Sequence, residues 1–62
     1  MDNDQIKSMD PNMLLSIINM KLRDSYSNLE TLCDDMDIEE DIIIQKLNKI
    51  GYEYYKESNQ FK

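Results

Sequence analysis

Cys33 is the single thiol of the chain and the first side chain to consider as a nucleophile. A catalytic cysteine needs a base or a cation beside it to hold the thiolate. The chain contains no histidine, and the neighbouring carboxylates of Asp34 and Asp35 would raise the pKa of a thiol. The sequence therefore predicts that Cys33 is a small, buried hydrophobic residue.

Acidic side chains between residues 34 and 41 form the second candidate site, as calcium ligands. They are Asp34, Asp35, Asp37, Glu39, Glu40 and Asp41. An EF-hand loop starting at Asp35 needs glycine at its sixth position and glutamate at its twelfth, where this chain has Glu40 and Lys46. We interpret the acids as favourable charges at a helix N-terminus, and we expect no metal and no cofactor.

Other common catalytic patterns are missing from the sequence. Gly51 is the only glycine, which excludes a glycine-rich phosphate loop. Paired carboxylates are abundant, but none adjoins an apolar pocket that would separate their pKa values. We therefore predict that the protein is not an enzyme.

Two helices joined by a tight turn are predicted for residues 27–52, where the local signals are strongest. Ser27 and Glu30 have the spacing of a capping box, in which each side chain binds the other residue's backbone amide. An apolar stripe with helical spacing follows at Leu29, Leu32, Cys33 and Met36. Asp37 is expected to form the turn, because aspartate tolerates the left-handed conformation.

The second helix of this pair is expected to end before Gly51. Its apolar positions are Ile38, Ile43, Leu47 and Ile50. Gly51 is the expected left-handed cap, and a Schellman ending would bring Tyr52 back onto Leu47. The two helices resemble helix-turn-helix modules, although Asp37 stands where such modules often carry glycine.

A further helix is predicted to start at Pro11 and to end near Asp24. Asp10 is the expected N-cap, and proline fits the first helical position because its missing amide needs no partner there. The expected inner face consists of Met13, Leu14, Ile17, Ile18 and Leu22, and the expected outer side of Asn19, Met20, Lys21 and Arg23. Residues 1–9 are polar without a clear period, so we expect a flexible tail.

The C-terminal segment is predicted to form a short β-hairpin. Its aromatic run favours a strand, residues 56–59 favour a turn, and the last residues return. Such a hairpin is stable only if Tyr52, Tyr54 and Phe61 pack on the helices. The predicted fold is therefore mainly α: one three-helix, helix-turn-helix-like domain over residues 10–62, with a hairpin as in a miniature winged helix.

The short chain predicts a need for association. A chain of 62 residues buries only roughly 60% of its unfolded surface, and a single cysteine allows no internal disulfide. We expect a homodimer or docking on another protein.

Three adjacent isoleucines mark the expected contact surface. Side chains at three successive helical positions span about 200° of the circumference. Either the C-terminal segment covers one flank, or Ile42 or Ile44 faces a partner. The candidate interaction residues are Ile42, Ile44, Tyr54 and Tyr55. We therefore expect a non-enzymatic protein-interaction domain that also associates with itself.

DNA binding is the alternative function, suggested by the helix-turn-helix spacing. The candidate contacts are Lys21, Arg23, Gln45, Lys46, Asn48 and Lys49. Recognition helices place their N-terminal residues against base edges, and here Glu39, Glu40 and Asp41 would face a polyanion. Thirteen acidic residues against seven basic ones give a net charge of −6, which argues against nucleic acid as a partner.

Membrane insertion and secretion are not expected from this sequence. No apolar run approaches the roughly 18 residues of a membrane span. The N-terminus, MDNDQ, is acidic and polar and lacks the apolar region of a signal peptide. We expect a cytoplasmic protein.

Several short motifs are similar to those of a small bacterial family that is defined only as a domain of unknown function. They are DPxMLLS at residues 10–16, where x is any residue, NMKLRD at 19–24, LCDD at 32–35, GYEY at 51–54 and NQF at 59–61. The resemblance implies a bacterial, cytoplasmic origin and brings no catalytic residues. It draws attention to Asn19, Lys21, Arg23 and Asp24, and we expect Arg23 to form an ion pair with an acid of the second helix.

Overall fold

The computed structural model describes residues 1–62 as four helices followed by a two-stranded hairpin. The helices are α1 (Asn3–Ser8), α2 (Pro11–Asp24), α3 (Leu29–Met36) and α4 (Glu40–Asn48). The antiparallel strands are β1 (Tyr54–Tyr55) and β2 (Gln60–Phe61), with Tyr54 opposite Phe61. The mainly helical fold with a short C-terminal hairpin is confirmed. None of the helices combines the length and the apolar character needed to cross a membrane.

Helix α2 begins as predicted, with Asp10 accepting a hydrogen bond from the Met13 amide at 3.0 Å. Its buried stripe is narrower than expected and consists of Leu14, Ile18 and Leu22. The placement of Met13 on the inner face is wrong, since its side chain is 57% exposed. Met13 lies about 100° around the helix from Leu14, beyond the arc that the other elements cover.

Helix α3 is capped one residue later than predicted. The Asn28 side chain, not that of Ser27, accepts from the Thr31 amide at 2.7 Å. Serine and asparagine are equally good caps, so two adjacent candidates leave the choice to the tertiary structure. The predicted stripe is otherwise confirmed: Leu29, Leu32 and Cys33 are buried, and Met36 packs at the edge of the core.

The turn and the ending of α4 agree with the sequence prediction. Asp37 is left-handed, with φ 56°, and Ile38, Ile43 and Leu47 are buried. Gly51 has φ 86°, and its amide donates to the Asn48 carbonyl at 3.0 Å. The Tyr52 amide donates to the Leu47 carbonyl at 3.0 Å, which completes the Schellman pattern. The likeness to helix-turn-helix modules stays a prediction.

Helix α1 occupies the segment that the sequence suggested would be a flexible tail. Asp2 caps it by accepting from the Gln5 amide at 2.8 Å, and Ile6 is fully buried in the common core. Lys46 of α4 donates to the Lys7 carbonyl at 2.7 Å. The domain thus has four helices rather than three, because one apolar residue among polar ones produces no period yet can still fill a core position.

Ile6→Ala tests whether α1 belongs to the folded core. We expect the variant to lower the free energy of unfolding by about 2–5 kcal/mol, because it leaves a cavity between α1 and α4. Urea denaturation measures this against Gln5→Ala, an exposed position of the same helix. Equal stability of the two variants would show that residues 1–9 contribute nothing to the core.

Candidate functional site

Asn19 of α2 fastens the C-terminal hairpin to the helices. Its side-chain Nδ2 donates to the Phe61 carbonyl at 3.0 Å, and the Phe61 amide donates to Asn19 Oδ1 at 2.8 Å. A neighbouring strand would satisfy the same two backbone groups in the same way. Asn19 therefore faces the hairpin rather than the outer side, and it closes the outer edge of β2.

Asn59 and Tyr54 extend this polar network to α3. Asn59 is left-handed, with φ 52°, and its Nδ2 donates to the Leu22 and Tyr26 carbonyls, each at 3.0 Å. The Tyr54 hydroxyl donates to Asn59 Oδ1 at 2.7 Å and accepts from the Leu29 amide at 3.1 Å. The hairpin thereby satisfies one carbonyl in the last turn of α2, one in the α2–α3 connection and an amide at the start of α3.

The aromatic side chains of the hairpin pack as predicted. Phe61 is buried in the core, and its ring centroid lies 5.4 Å from that of Tyr54. Tyr52 and Tyr54 are half-buried against the same core. Packing on the helices thus supplies the stability that an isolated two-residue ladder would lack.

The outer edge of β1 is open, in contrast to that of β2. Glu53 and Lys62 exchange backbone hydrogen bonds at 3.3 and 3.0 Å. Since hydrogen-bonded and non-hydrogen-bonded pairs alternate in an antiparallel ladder, the N–H and C=O of Tyr54 point away from β2. Neither group has a hydrogen-bond partner within the chain.

An open depression adjoins this edge and contains two of the predicted interaction residues. It has a volume of about 470 Å³ and lies between β1, the start of α3 and α4. Its lining consists of Asn28, Leu29, Glu30, Glu40, Ile44, Tyr54 and Lys56. We call it the Ile44–Tyr54 depression. Ile44 and Tyr54 are both half-buried, so each keeps apolar surface available for contact.

The other two predicted interaction residues lie elsewhere. Ile42 borders a smaller depression between α1 and α4, and α1 covers the flank that the sequence left open. Tyr55 is 38% exposed, and the Lys62 ammonium lies 5.4 Å from its ring centroid. The four candidate residues therefore do not form one continuous surface.

Three lysines gather at the smaller depression, which has a volume of about 260 Å³. Its lining consists of Lys7, Ile42, Gln45, Lys46 and Lys49. The structure thus brings together three of the candidate nucleic-acid contacts and adds Lys7, which lies in the segment predicted to be a flexible tail. Asn48 is exposed outside this lining, and Lys21 and Arg23 belong to α2.

One family is similar to the chain over nearly its whole length. The sequence profile described as Domain of unknown function (DUF4250) matches residues 8–61. The chain belongs to this family. The matched part of this DUF4250 domain starts at the end of α1 and includes the later helices and the hairpin. No curated protein and no solved structure matches the chain.

Arg23 of the DUF4250 domain pairs with the adjacent Asp24, not with an acid of the second helix. The guanidinium donates two hydrogen bonds to the Asp24 carboxylate, at 2.8 and 2.9 Å. These bonds raise the pKa of Arg23 and lower that of Asp24. Both side chains are exposed, so the pair contributes little to stability. Arg23 also borders a polar groove between α2 and the hairpin turn.

Cys33 of the DUF4250 domain is buried as predicted, with 3% of its surface exposed. Burial raises the pKa of the thiol to about 11, and the charge of Glu40 adds to the shift. The direction agrees with the prediction, but the causes are burial and Glu40 rather than Asp34 and Asp35. At neutral pH the side chain is a thiol and lacks the character of a nucleophile.

Asp35 instead binds Tyr26. The Tyr26 hydroxyl donates to Asp35 Oδ2 at 2.5 Å, which raises the pKa of the tyrosine. Tyr26 precedes α3 and packs against the edge of the core. This contact holds the α2–α3 connection against the exposed side of α3.

Asn19→Ala tests the attachment of the hairpin. Removing both side-chain hydrogen bonds should lower the free energy of unfolding by about 1–3 kcal/mol. The amide of Phe61 should also exchange with solvent faster. The control is Asn12→Ala in the same helix, where the side chain is exposed and forms no hydrogen bond. If both variants unfold alike, the Asn19 contact does not hold the hairpin.

Proposed function

We propose that this DUF4250 domain acts without catalysis, by binding protein chains at the Ile44–Tyr54 depression. Self-association is the simplest form of this function. The observation that carries the proposal is that two half-buried apolar side chains, from α4 and from β1, line one depression beside an open strand edge. Apolar surface that can be buried further is what drives most protein association.

The small size of the domain supports association. Only 11 of the 62 residues are buried, and the single cysteine forms no cross-link. A partner that binds the folded chain but not the unfolded one shifts the folding equilibrium toward the native state. The neutral thiol of Cys33, buried in the core, supports a role without covalent catalysis.

Ile44→Glu tests the surface, with Ile42→Glu as the matched control. Both changes place a carboxylate at a half-buried position of α4, but only the first lies in the Ile44–Tyr54 depression. We expect Ile44→Glu to shift the sedimentation-equilibrium mass toward the monomer and Ile42→Glu to leave it unchanged.

Circular dichroism of both variants checks that they remain folded. A wild-type protein that stays monomeric at millimolar concentration would rule out self-association. Loss of association in Ile42→Glu alone would show that the contact surface is the smaller depression between α1 and α4.

DNA binding is the second candidate, and the gathering of Lys7, Lys46 and Lys49 at one depression supports it. The net charge of −6 opposes it. Low salt strengthens attraction to phosphates, so titration against labelled random-sequence duplex at low salt is the most favourable test. We expect no binding. Salt-sensitive binding that is lost on charge reversal at Lys46 and Lys49, but kept in Lys56→Glu, would replace the leading proposal.

A further inference from the structure

We infer that the open edge of β1 and the Ile44–Tyr54 depression form one docking site for an extended segment of a partner protein. The segment adds as an antiparallel strand beside Tyr54 and carries an apolar residue with a lysine or arginine two positions away. This inference rests on the proposed function and specifies its partner.

The first support is the difference between the two edges of the hairpin. The backbone groups of Phe61 at the β2 edge are satisfied by Asn19. The corresponding groups of Tyr54 at the β1 edge have no partner within the chain. One donor and one acceptor on the same residue match the two hydrogen bonds that a directly opposite residue of an antiparallel strand exchanges.

The second support is the direction of the side chains. Residues directly opposite each other in an antiparallel pair project to the same face of the sheet. The Tyr54 side chain lines the depression. A partner residue opposite Tyr54 would therefore point toward Ile44, which together with Tyr54 supplies the accessible apolar part of the lining because Leu29 is buried. An aliphatic or aromatic side chain suits that surface.

The third support is charge. Glu30 and Glu40 face the depression, and neither forms a salt bridge within the chain, where Arg23 and Asp24 make the only one. Lys56 is the one cation of the lining. Residues two apart on a strand share a face, so a basic residue at that spacing from the apolar one lies near these carboxylates. In a second copy, Tyr54 and Lys56 have this spacing, but the net charge of −6 on each chain opposes the approach of two identical copies.

The test uses a phage-displayed library of random 12-residue peptides, selected against the immobilised domain. Enriched peptides are synthesised with a fluorescent label, and anisotropy gives their dissociation constants. We expect an enriched pattern of an apolar residue with lysine or arginine two positions away. Glu40→Lys should raise the dissociation constant at least tenfold and Glu57→Lys, outside the depression, less than twofold. Added salt should weaken binding.

A second measurement leaves the domain unchanged. N-methylation of the peptide at its apolar residue keeps the side chain but removes the N–H that would bind Tyr54, and we expect binding to fall at least tenfold. Hydrogen exchange should slow at the Tyr54 amide on peptide binding, while the Phe61 amide, already bound to Asn19, stays unchanged.

Peptides that lose binding in Ile44→Glu but tolerate N-methylation and leave Tyr54 exchange unaltered would overturn strand addition while keeping protein association. Enrichment without a basic residue would overturn the charged partner. Enrichment only of peptides that copy residues 52–56 would overturn a partner other than this chain and favour a second copy, whose Tyr54 and Lys56 have the same spacing. No enrichment together with a monomeric protein would overturn both this inference and the proposed function.

Discussion

Docking of the hairpin on α2 through Asn19 is the constraint on which the rest of the domain depends. The two hydrogen bonds to Phe61 place its ring in the core, and Tyr54 is carried onto the start of α3. The side-chain amide of Asn19 forms the two hydrogen bonds that a third strand would otherwise form with Phe61, so the two-residue ladder needs no further strand. Removing a single partner would leave backbone groups unsatisfied beside the core, where they are costly.

Local signals were sufficient to predict most of the helix ends. Asp10, Asp37 and Gly51 each act through hydrogen bonds or backbone angles within a few residues, and such effects are readable from sequence. The exact N-cap of α3 could not be predicted from the sequence, because Ser27 and Asn28 have similar preferences for the N-cap position. The error is one residue long and changes no packed position.

Long-range contacts were beyond the reach of local patterns. Ile6 produces no period, and its burial depends on α4 lying beside α1. Asn19 is bonded to a residue 42 positions away, and polar character alone suggested the outer side. For the same reason, the sequence grouped Ile44 and Tyr54 with Ile42 and Tyr55, although the fold places only the first two at one depression.

Closure of the hairpin onto α2 also bears on the order in which the domain forms. Helix α3 contacts its chain neighbours α2 and α4, whereas α1 must close a loop of about forty residues to reach α4, and β2 must close a similar loop to reach Asn19. We therefore expect α2, α3 and α4 to collapse first, and α1 and the hairpin to dock late. Interactions that form after the folding transition state lower the unfolding rate more than they raise the folding rate. The lifetime of the native state thus depends largely on how firmly α1 and the hairpin are held.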